Sequence, residues 1–322
     1  MKNAIKTLLQ TRAGWTLSSF VRSRGTLVLM YHRVGPNSEG FASLDLSQFR
    51  AQMAWLKENC NPIGPEEIRE SVTRGSRRKP LVLVTFDDGY RDFHDHAYPI
   101  LKALRIPSLV FLSTVFMDEP GRLLWPDMLH VAAQRAGPRR VRLPWDASAE
   151  IDLGREDGRR RLIRASKDYV KEIAEEAKEA TLHELFASLG FDPAERRVER
   201  QMLSWDEVRA TMDLTTYGGH THTHPILSRI SRELAEEEVR TCRERLVAET
   251  GRAPRHFAYP NGRGRDFTKE TQDILRRHGF DIAYATEEGP NAAATDWMAV
   301  KRIPATTSLP DFAWALAALT AS

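Results

Sequence analysis

Short apolar runs alternate with helix-like segments along most of this 322-residue chain, and this alternation restricts the fold more than any other feature. The runs are 26–32, 81–87, 108–114, 214–220, 256–259, 282–286 and 300–304, with helical patterns at 49–57, 95–104, 232–249 and 268–278. Strand and helix in alternation are typical of parallel βαβ units. Nearly continuous apolar runs suit a sheet that is covered on both faces. Seven such units predict an α/β fold, either a closed barrel or an open sheet.

The stretch 125–200 has a different character. Basic residues around 159–164 are followed by acidic residues around 172–179, and such spacing is typical of solvated helix faces. Leu162, Tyr169, Ile173 and Ala177 form a candidate inward stripe. We therefore predict a helical insertion at 125–200, which divides the barrel into 26–124 and 201–322.

Residues 1–25 form a basic, amphipathic segment that precedes the first acidic residue, Glu39. Polar residues interrupt every apolar run in it, so no secretory signal is predicted, and no window of about 18 apolar residues predicts a spanning helix. The segment is interpreted as a helix packed on the domain or as a basic helix on an anionic membrane surface. We expect a cytoplasmic protein, with peripheral contact at the inner membrane face as the second interpretation.

Charge and cysteine content exclude two classes of function. The chain has 47 Lys and Arg against 44 Asp and Glu, and a net charge of +3 is too small to indicate a nucleic-acid partner. Cys60 and Cys242 are far apart, which excludes a disulfide framework and a Cys-x-x-Cys metal site.

Polar residues of the catalytic kind stand where the predicted strands end. They are His32, Asp87, Asp88, His220, His222, His224, the stretch 259–262 and, within the last run, Arg302. In parallel α/β barrels the active site is built at the carboxyl ends of the strands. The sequence therefore predicts that these residues share one site.

The segment Gly-Gly-His-Thr-His-Thr-His-Pro (218–225) predicts a metal site. His220 and His224 are four residues apart, and two such imidazoles with a carboxylate commonly hold a divalent ion. A His-rich surface loop is the alternative. Asp87 and Asp88 follow a buried run, where two carboxylates are costly unless a cation compensates them, although Asp-Gly is also a turn signal. One carboxylate can bind the metal while its neighbour accepts a proton from water.

The motifs Thr-Phe-Asp-Asp-Gly and His-Thr-x-x-His resemble those of the polysaccharide deacetylases, the NodB-homology domains of carbohydrate esterase family 4, over roughly 26–115 and 203–305. The resemblance implies a distorted (β/α)7 barrel that hydrolyses N-acetyl groups of amino sugars. It implies Asp87 as general base, Asp88, His220 and His224 as metal ligands, and His222 as a neighbour. Zn²⁺ is the expected ion, with Co²⁺, Ni²⁺ and Fe²⁺ as alternatives.

The chain departs from the family pattern at two motifs. Where the family has Arg-Pro-Pro-Tyr-Gly, this chain has Ala258 in place of the arginine, and Arg302 either supplies the guanidinium or forms a surface ion pair. The backbone amide of Asn261 would then stabilise the oxyanion. Tyr-His-Arg-Val (31–34) resembles the subgroup of biofilm polysaccharide deacetylases with an N-terminal acid, which implies His32 as general acid; a core histidine is the alternative.

The predicted function is a metal-dependent N-deacetylase of a polysaccharide or glycan precursor, and the predicted partner is an N-acetylated glycan or a lipid-linked sugar. The alternatives are a deformylase or other amide hydrolase acting on a lipid-linked sugar or cyclic amide, and an inactive glycan-binding relative. Trp125, Trp145 and Trp205 either line a glycan groove or belong to the core.

Overall fold

The computed structural model describes residues 25–36, 43–74, 79–119, 121–193 and 199–320. The predicted amphipathic segment 1–25 thus lies outside the described residues except for Gly25. None of the helices in these ranges is long and apolar enough to span a bilayer.

The strands are β1 (Thr26–Tyr31), β2 (Asn61–Pro62), β3 (Leu81–Phe86), β4 (Ser108–Leu112), β5 (Arg140–Leu143), β6 (Asp146–Asp152), β7 (Thr215–Gly219), β8 (His256–Ala258), β9 (Ile282–Tyr284) and β10 (Ile303–Pro304). The helices are α1 (Leu46–Asn59), α2 (Ile68–Arg74), α3 (Tyr98–Leu104), α4 (Val115–Asp118), α5 (Trp125–Arg135), α6 (Glu156–Val170), α7 (Glu175–Leu189), α8 (Trp205–Ala210), α9 (Arg232–Thr250), α10 (Lys269–Arg277) and α11 (Leu309–Thr320). Short 3₁₀ turns at Pro65–Glu67 and Leu227–Arg229 and a π-helical turn at Phe93–Ala97 complete the described elements.

A single parallel sheet with the order β10-β1-β3-β4-β7-β8-β9 forms the centre of the molecule, and β2 pairs with the start of β3. The sheet curls so that one segment meets both of its edges. Ile303 pairs with Leu29 of β1, and Val300 forms a bridge with Tyr284 of β9. The predicted α/β fold class, a distorted (β/α)7 barrel, is confirmed.

The central strands are buried on both faces, as their continuous apolar runs predict. Every residue of β1 and β3 is buried. One core lies between the sheet and α1, where the ring of Tyr31 is 5.3 Å from the rings of both Phe49 and Phe86. The first six predicted strands end one or two residues before their predicted limits, because polar residues such as Asp87 leave the ladder at the carboxyl edge. The last strand ends at the predicted residue 304 but begins only at Ile303.

The segment 125–200 is mostly helical, but it also contains a feature that the sequence analysis missed. Strands β5 and β6 form an antiparallel hairpin between α5 and α6. With α5, α6 and α7 the hairpin surrounds a hydrophobic cluster of its own, which includes Leu129, Val141, Ile151, Leu162 and Leu185. The division of the chain into a barrel and a separate insertion stays a prediction.

The predicted inward stripe of this segment is wrong at Tyr169 and Ala177, while Ile173 is half-buried and lines the cavity described below. Leu162 is fully buried, but Tyr169 is 36% exposed and Ala177 is exposed. The stripe assumed one continuous helix, whereas α6 ends at Val170 and α7 begins at Glu175. The break resets the helical phase, so the two halves bury different faces.

A glycine in the first turn of α6 holds that helix against the hairpin. A Cβ at Gly158 would lie 1.9 Å from the carbonyl oxygen of Asp152 in β6. We therefore expect Gly158→Ala to lower the free energy of unfolding by about 1–3 kcal/mol, measured by denaturant unfolding.

The control is Gly137→Ala in the same segment, because a Cβ at Gly137 would meet no atom within 4 Å. Its effect should stay within about 0.5 kcal/mol. Equal losses in the two variants would contradict the assigned close approach of α6 to β6.

Candidate active site

The carboxyl ends of the barrel strands open into a cavity of about 470 Å³. Six of the predicted site residues line it, namely His32, Asp87, Asp88, His220, His224 and Asn261. Arg302 lies behind Asp87 and is fully buried. The structure therefore brings the predicted residues together from the ends of β1, β3, β7 and β8 and from the residue that precedes β10.

Three electron-pair donors converge at the floor of the cavity. Nε2 of His220 and Nε2 of His224 each lie 3.3 Å from Oδ1 of Asp88. Nδ1 of His220 donates a hydrogen bond to the carbonyl oxygen of Ala258 at 2.7 Å, which leaves Nε2 with its lone pair directed at Asp88 in the neutral ring. Such a cluster needs a proton or a metal ion among its donor atoms.

The donor set fits a divalent transition metal. The ligand atoms of Asp88, His220 and His224 all lie within 4.8 Å of one another, and two imidazoles with one carboxylate leave coordination positions open for water and substrate. A bound ion would take the place of the proton that the cluster otherwise attracts. The described residues thus contain a candidate metal site with the three predicted ligands.

Electrostatics at the cluster favour an ionised carboxylate. Burial would raise the pKa of Asp88, but hydrogen bonds with His220 and His224 outweigh burial and hold this pKa well below its ordinary value. Burial would lower the pKa of His220, but the carboxylates of Asp88 and Asp87 raise it. Burial dominates at His224 and lowers its pKa, which favours the neutral imidazole that a metal requires.

Backbone strain is concentrated in the loops that carry the candidate metal ligands and Asn261. Asp88, Thr221, His224 and Asn261 all have positive φ angles, of 73°, 64°, 69° and 61°. A positive φ is unusual for any residue other than glycine and is a clear outlier for β-branched Thr221. Strain of this kind persists only where the surroundings impose it, and it is common at functional sites.

The loop that carries the histidines is held by contacts from two neighbouring elements. Glu238 of α9 accepts hydrogen bonds from the backbone N–H groups of His222 and Thr223, at 2.7 and 2.8 Å. Val115 of α4 donates its backbone N–H to the carbonyl of His222. The role of Glu238 in holding this loop could not be predicted from the sequence, because an acidic residue in the charged helix α9 carries no signal that distinguishes it from its exposed neighbours.

Asp87 forms a buried, two-pronged ion pair with Arg302. Nη1 of Arg302 donates to Oδ1 of Asp87 at 2.6 Å and Nη2 donates to Oδ2 at 2.9 Å, while Nε donates to the carbonyl of Ala285 at 2.9 Å. Of the two interpretations of Arg302, the surface ion pair is wrong, because the side chain is fully buried. The guanidinium thus reaches the predicted base, Asp87, from the residue that immediately precedes β10.

This ion pair sets the charge of Asp87. Burial would raise the pKa of this carboxyl, but the positive charge of Arg302, together with His220 and His32, holds the pKa below its ordinary value. Asp87 is therefore ionised at neutral pH and able to accept a proton.

His32 stands at the mouth of the site. Its side chain is 48% exposed, and Nε2 lies 3.9 Å from Oδ2 of Asp87. The alternative of a core histidine is therefore wrong. The imidazole lines the cavity beside the carboxylate, where it can exchange a proton with a bound molecule.

Asn261 follows β8 and lines the same cavity. Its side-chain amide donates to Asp266 at 2.5 Å, and its carbonyl accepts from the hydroxyl of Thr286 at 3.1 Å. Its backbone N–H has no partner among the described residues. Ala258, which stands where the family has its arginine, is buried. Its contribution to the site is the carbonyl that accepts a hydrogen bond from Nδ1 of His220.

The remaining histidines of the motifs lie beside the site. Nδ1 of His222 is 2.9 Å from the hydroxyl of Thr114, and His222 does not line the cavity. His94 pairs with the neighbouring Asp95 on the surface. Of the three tryptophans considered for a glycan groove, Trp125 lines the cavity, Trp205 is buried and Trp145 stacks on Tyr169.

The segment 125–200 forms one wall of the cavity. The residues that it contributes are Trp125, Pro126, Asp127, His130, Lys167, Val170, Lys171, Ile173, Glu175 and Lys178. Asp127 is buried and accepts a hydrogen bond from the hydroxyl of Tyr90 at 2.9 Å. Burial raises the pKa of Asp127 to about 6. Sequence analysis alone did not assign this segment a place at the site.

The ligand assignment is tested by metal binding alone. Asp88→Ala removes the oxygen that faces both histidines, so we expect the affinity for Zn²⁺ in equilibrium dialysis to fall by at least about 100-fold. His222→Ala is the control and should retain the affinity, because its ring contacts Thr114. Retention of stoichiometric zinc by the Asp88 variant would exclude this residue as a ligand.

The buried ion pair is tested by stability. Arg302→Gln leaves Asp87 buried without its cation, and we expect a loss of about 3–5 kcal/mol at pH 7. In the wild type the lowered pKa of Asp87 contributes stability above the ordinary value of 3.8, which is lost as the pH falls through the folded pKa. In the variant, burial without the cation raises the pKa of Asp87, so its carboxyl takes up a proton at a higher pH than in the unfolded chain and the loss of stability is relieved. The difference between the two proteins should therefore shrink as the pH falls from 7 toward 4.

Arg255→Gln is the matched control, because its pair with Asp281 is exposed and should contribute no more than about 1 kcal/mol. A pH-independent difference between the Arg302 variant and the wild type would show that Arg302 stabilises the fold by packing and not through Asp87.

Three comparisons with known proteins agree with this geometry. The sequence model of a family described as "Polysaccharide deacetylase" matches residues 74–283. The poly-beta-1,6-N-acetyl-D-glucosamine N-deacetylase of Escherichia coli (strain K12) is 37% identical over 104 residues, which are 30% of this chain but only 15% of that protein. The chain therefore spans a small part of the curated relative that it matches.

Two solved structures share the fold. IcaB from Ammonifex degensii has a TM-score of 0.59 and 22% identity, with 92% of this chain and 97% of that chain covered. The Streptococcus pyogenes deacetylase PplD has a TM-score of 0.58 and 19% identity, with 89% and 96% covered. The family match agrees with the predicted enzyme class, the polysaccharide N-deacetylases. Because that match covers well over half of the chain, the resemblance is confirmed, and this chain belongs to the polysaccharide deacetylase family.

Proposed function

We propose that this protein is a metal-dependent hydrolase that removes N-acetyl groups from the amino sugars of a glycan. One observation carries the proposal: the Asp87–Arg302 pair stands directly beside the cluster of Asp88, His220 and His224 in one cavity. Hydrolysis of an unactivated amide needs a base, an electrophile and an acid within reach of one carbonyl group, and this cavity supplies a candidate for each.

Asp88, His220 and His224 would hold the metal, and Zn²⁺ is the ion that we propose for their nitrogen and oxygen donors. When bound, such an ion polarises the acetamide carbonyl and lowers the pKa of a water molecule to about 7. The carbonyl of Ala258 orients one of these side chains, His220, by accepting a hydrogen bond from its Nδ1.

Asp87 would act as general base. Its carboxylate is ionised, and Arg302 orients both oxygens by donating one hydrogen bond to each. Each carboxylate oxygen keeps a further lone pair for an incoming proton. The neighbouring position of Asp88 in the chain places this base next to the ligand cluster.

His32 and Asn261 would serve the other two steps. His32 is open to the cavity, so it can donate a proton to the sugar nitrogen as the C–N bond breaks. The backbone N–H of Asn261 is a donor fixed by the contacts of its side chain and carbonyl. Such a preorganised donor would stabilise the negative charge that develops on the carbonyl oxygen.

The Escherichia coli relative is named for the deacetylation of poly-beta-1,6-N-acetyl-D-glucosamine, which supports a polymer of N-acetylglucosamine as the substrate class. The cavity volume of about 470 Å³ is sufficient for one or two sugar rings. The cytoplasmic location and the membrane contact of residues 1–25 stay predictions from the sequence.

The proposal is tested by release of free acetate from N-acetylglucosamine oligomers, with metal-replete and chelator-treated protein compared. We expect release only by the metal-replete protein. Asp87→Asn should lower kcat by about 10²–10⁴-fold through loss of the base while the zinc content stays unchanged. Asp273→Asn, on the exposed surface of α10, is the control and should retain full activity.

Full activity of the Asp87 variant would remove this residue from the role of base. Absence of acetate release despite bound zinc would reject the N-deacetylase proposal for these substrates.

A further inference from the structure

Three cationic side chains that line the cavity have no acidic partner at ion-pair distance among the described residues. Lys167 lies in the last turn of α6, Lys171 follows the end of that helix, and Arg263 lies in the loop after β8. All three line the cavity, and none of their side chains forms a hydrogen bond or an ion pair within the described part of the chain. The other three Lys and Arg side chains of the cavity do have acidic partners: Lys178 pairs with Glu175, Arg229 with Glu172 and Arg33 with Asp92.

This arrangement is unfavourable for the protein alone. Lys167 and Lys171 are four residues apart at the edge of one helix, a spacing at which like charges destabilise. Burial lowers the pKa of both ammonium groups, and Lys167 and Arg263 lower the pKa of Lys171 further. Asp127, which interacts with Lys167, and Asp266 and Asp88, which interact with Lys171, only partly offset this repulsion. Nothing in the fold itself requires three cations here.

The cationic groups face the reaction site. Lys171 lies within electrostatic reach of Asp88, and Lys178 within reach of His224. A molecule that fills the cavity with an acetamide group at Asp87 and Asp88 therefore places its neighbouring substituents at Lys167, Lys171 and Arg263. Neutral sugar rings need stacking surfaces and uncharged hydrogen-bonding groups, whereas ammonium and guanidinium groups match phosphate and carboxylate.

We propose that Lys167, Lys171 and Arg263 bind an anionic group, a phosphate or a carboxylate, on the glycan next to the sugar that is deacetylated. The identity of the ligand as a glycan rests on the proposed function. The anionic site itself rests on the three unpaired cations.

The test compares charged and neutral substrates matched in size. For carboxylate, an N-acetylglucosamine oligomer is compared with an oligomer of equal length in which N-acetylglucosamine alternates with glucuronic acid. For phosphate, methyl N-acetylglucosaminide is compared with N-acetylglucosamine 1-phosphate. We expect kcat/KM to favour the charged member of at least one pair by about tenfold at low salt, through KM, and the preference to shrink as NaCl is added. The pair that shows the preference identifies the group.

Substitutions test whether Lys167 and Lys171 cause this preference for charged substrates. The double variant Lys167→Gln/Lys171→Gln should reduce the charged-to-neutral ratio of kcat/KM to near unity, and Lys167→Arg/Lys171→Arg should restore it. Lys269→Gln removes the same charge from an exposed position of α10 and should leave the ratio unchanged. A wild-type protein with no preference in either pair, or a double glutamine variant that keeps the preference, would overturn the proposal.

A binding measurement separates this inference from the proposed function. Glucosamine 1-phosphate and methyl glucosaminide are products that the proposed reaction cannot consume, so calorimetry gives their affinities for the wild-type protein directly. Tighter binding of the phosphate without acetate release from any substrate would support the anion site and reject the deacetylase. Acetate release with equal KM values within both pairs would reject the anion site and support the deacetylase.

Discussion

The site depends on one buried pair of opposite charges, Arg302 and Asp87. Either charge alone in this position would cost several kcal/mol, and the pair is tolerated because each nitrogen of the guanidinium donates a hydrogen bond, two to the carboxylate oxygens and one to the carbonyl of Ala285. The ring of Phe111, 5.6 Å from the guanidinium carbon, closes one side. Because Asp87 and Asp88 are adjacent, the contact that fixes the base also fixes the carboxylate that faces the histidines.

The barrel and the segment 125–200 contribute different things to the cavity. The barrel supplies the candidate ligand cluster and the proposed base and acid on rigid strand ends, where small displacements are resisted by a packed core. The segment 125–200 supplies a wall with its own hydrophobic cluster and an excess of cationic side chains. Under the two proposals made above, chemistry and substrate choice belong to separate parts of the chain, which would allow either part to change while the other is kept.

The sequence could predict most of the barrel and the residues at its strand ends. The periodicity of apolar residues and the length of each apolar run can be read within a short stretch of sequence, and so can the residue at which the run ends. The sequence could not decide the role of Arg302, since its partner Asp87 is 215 residues away and only the closed sheet brings them together. The hairpin β5–β6 was missed because its few alternating residues stand among helix formers. Lys167 and Lys171 have the pattern of an ordinary solvated helix face, and only the packing of α6 over the barrel places them in a cavity.

The segment 300–304 joins both edges of the sheet and also carries Arg302. During synthesis, β1 and β3 can pair early, but the cation for Asp87 arrives only after almost the whole barrel has left the ribosome. Until then the carboxylate of Asp87 lacks the cation that compensates its burial. Contacts between such distant parts of a chain form slowly, because the loop between them must close first. Completion of the active site and closure of the barrel are therefore one event, and an incomplete chain carries no working site that could act before folding ends.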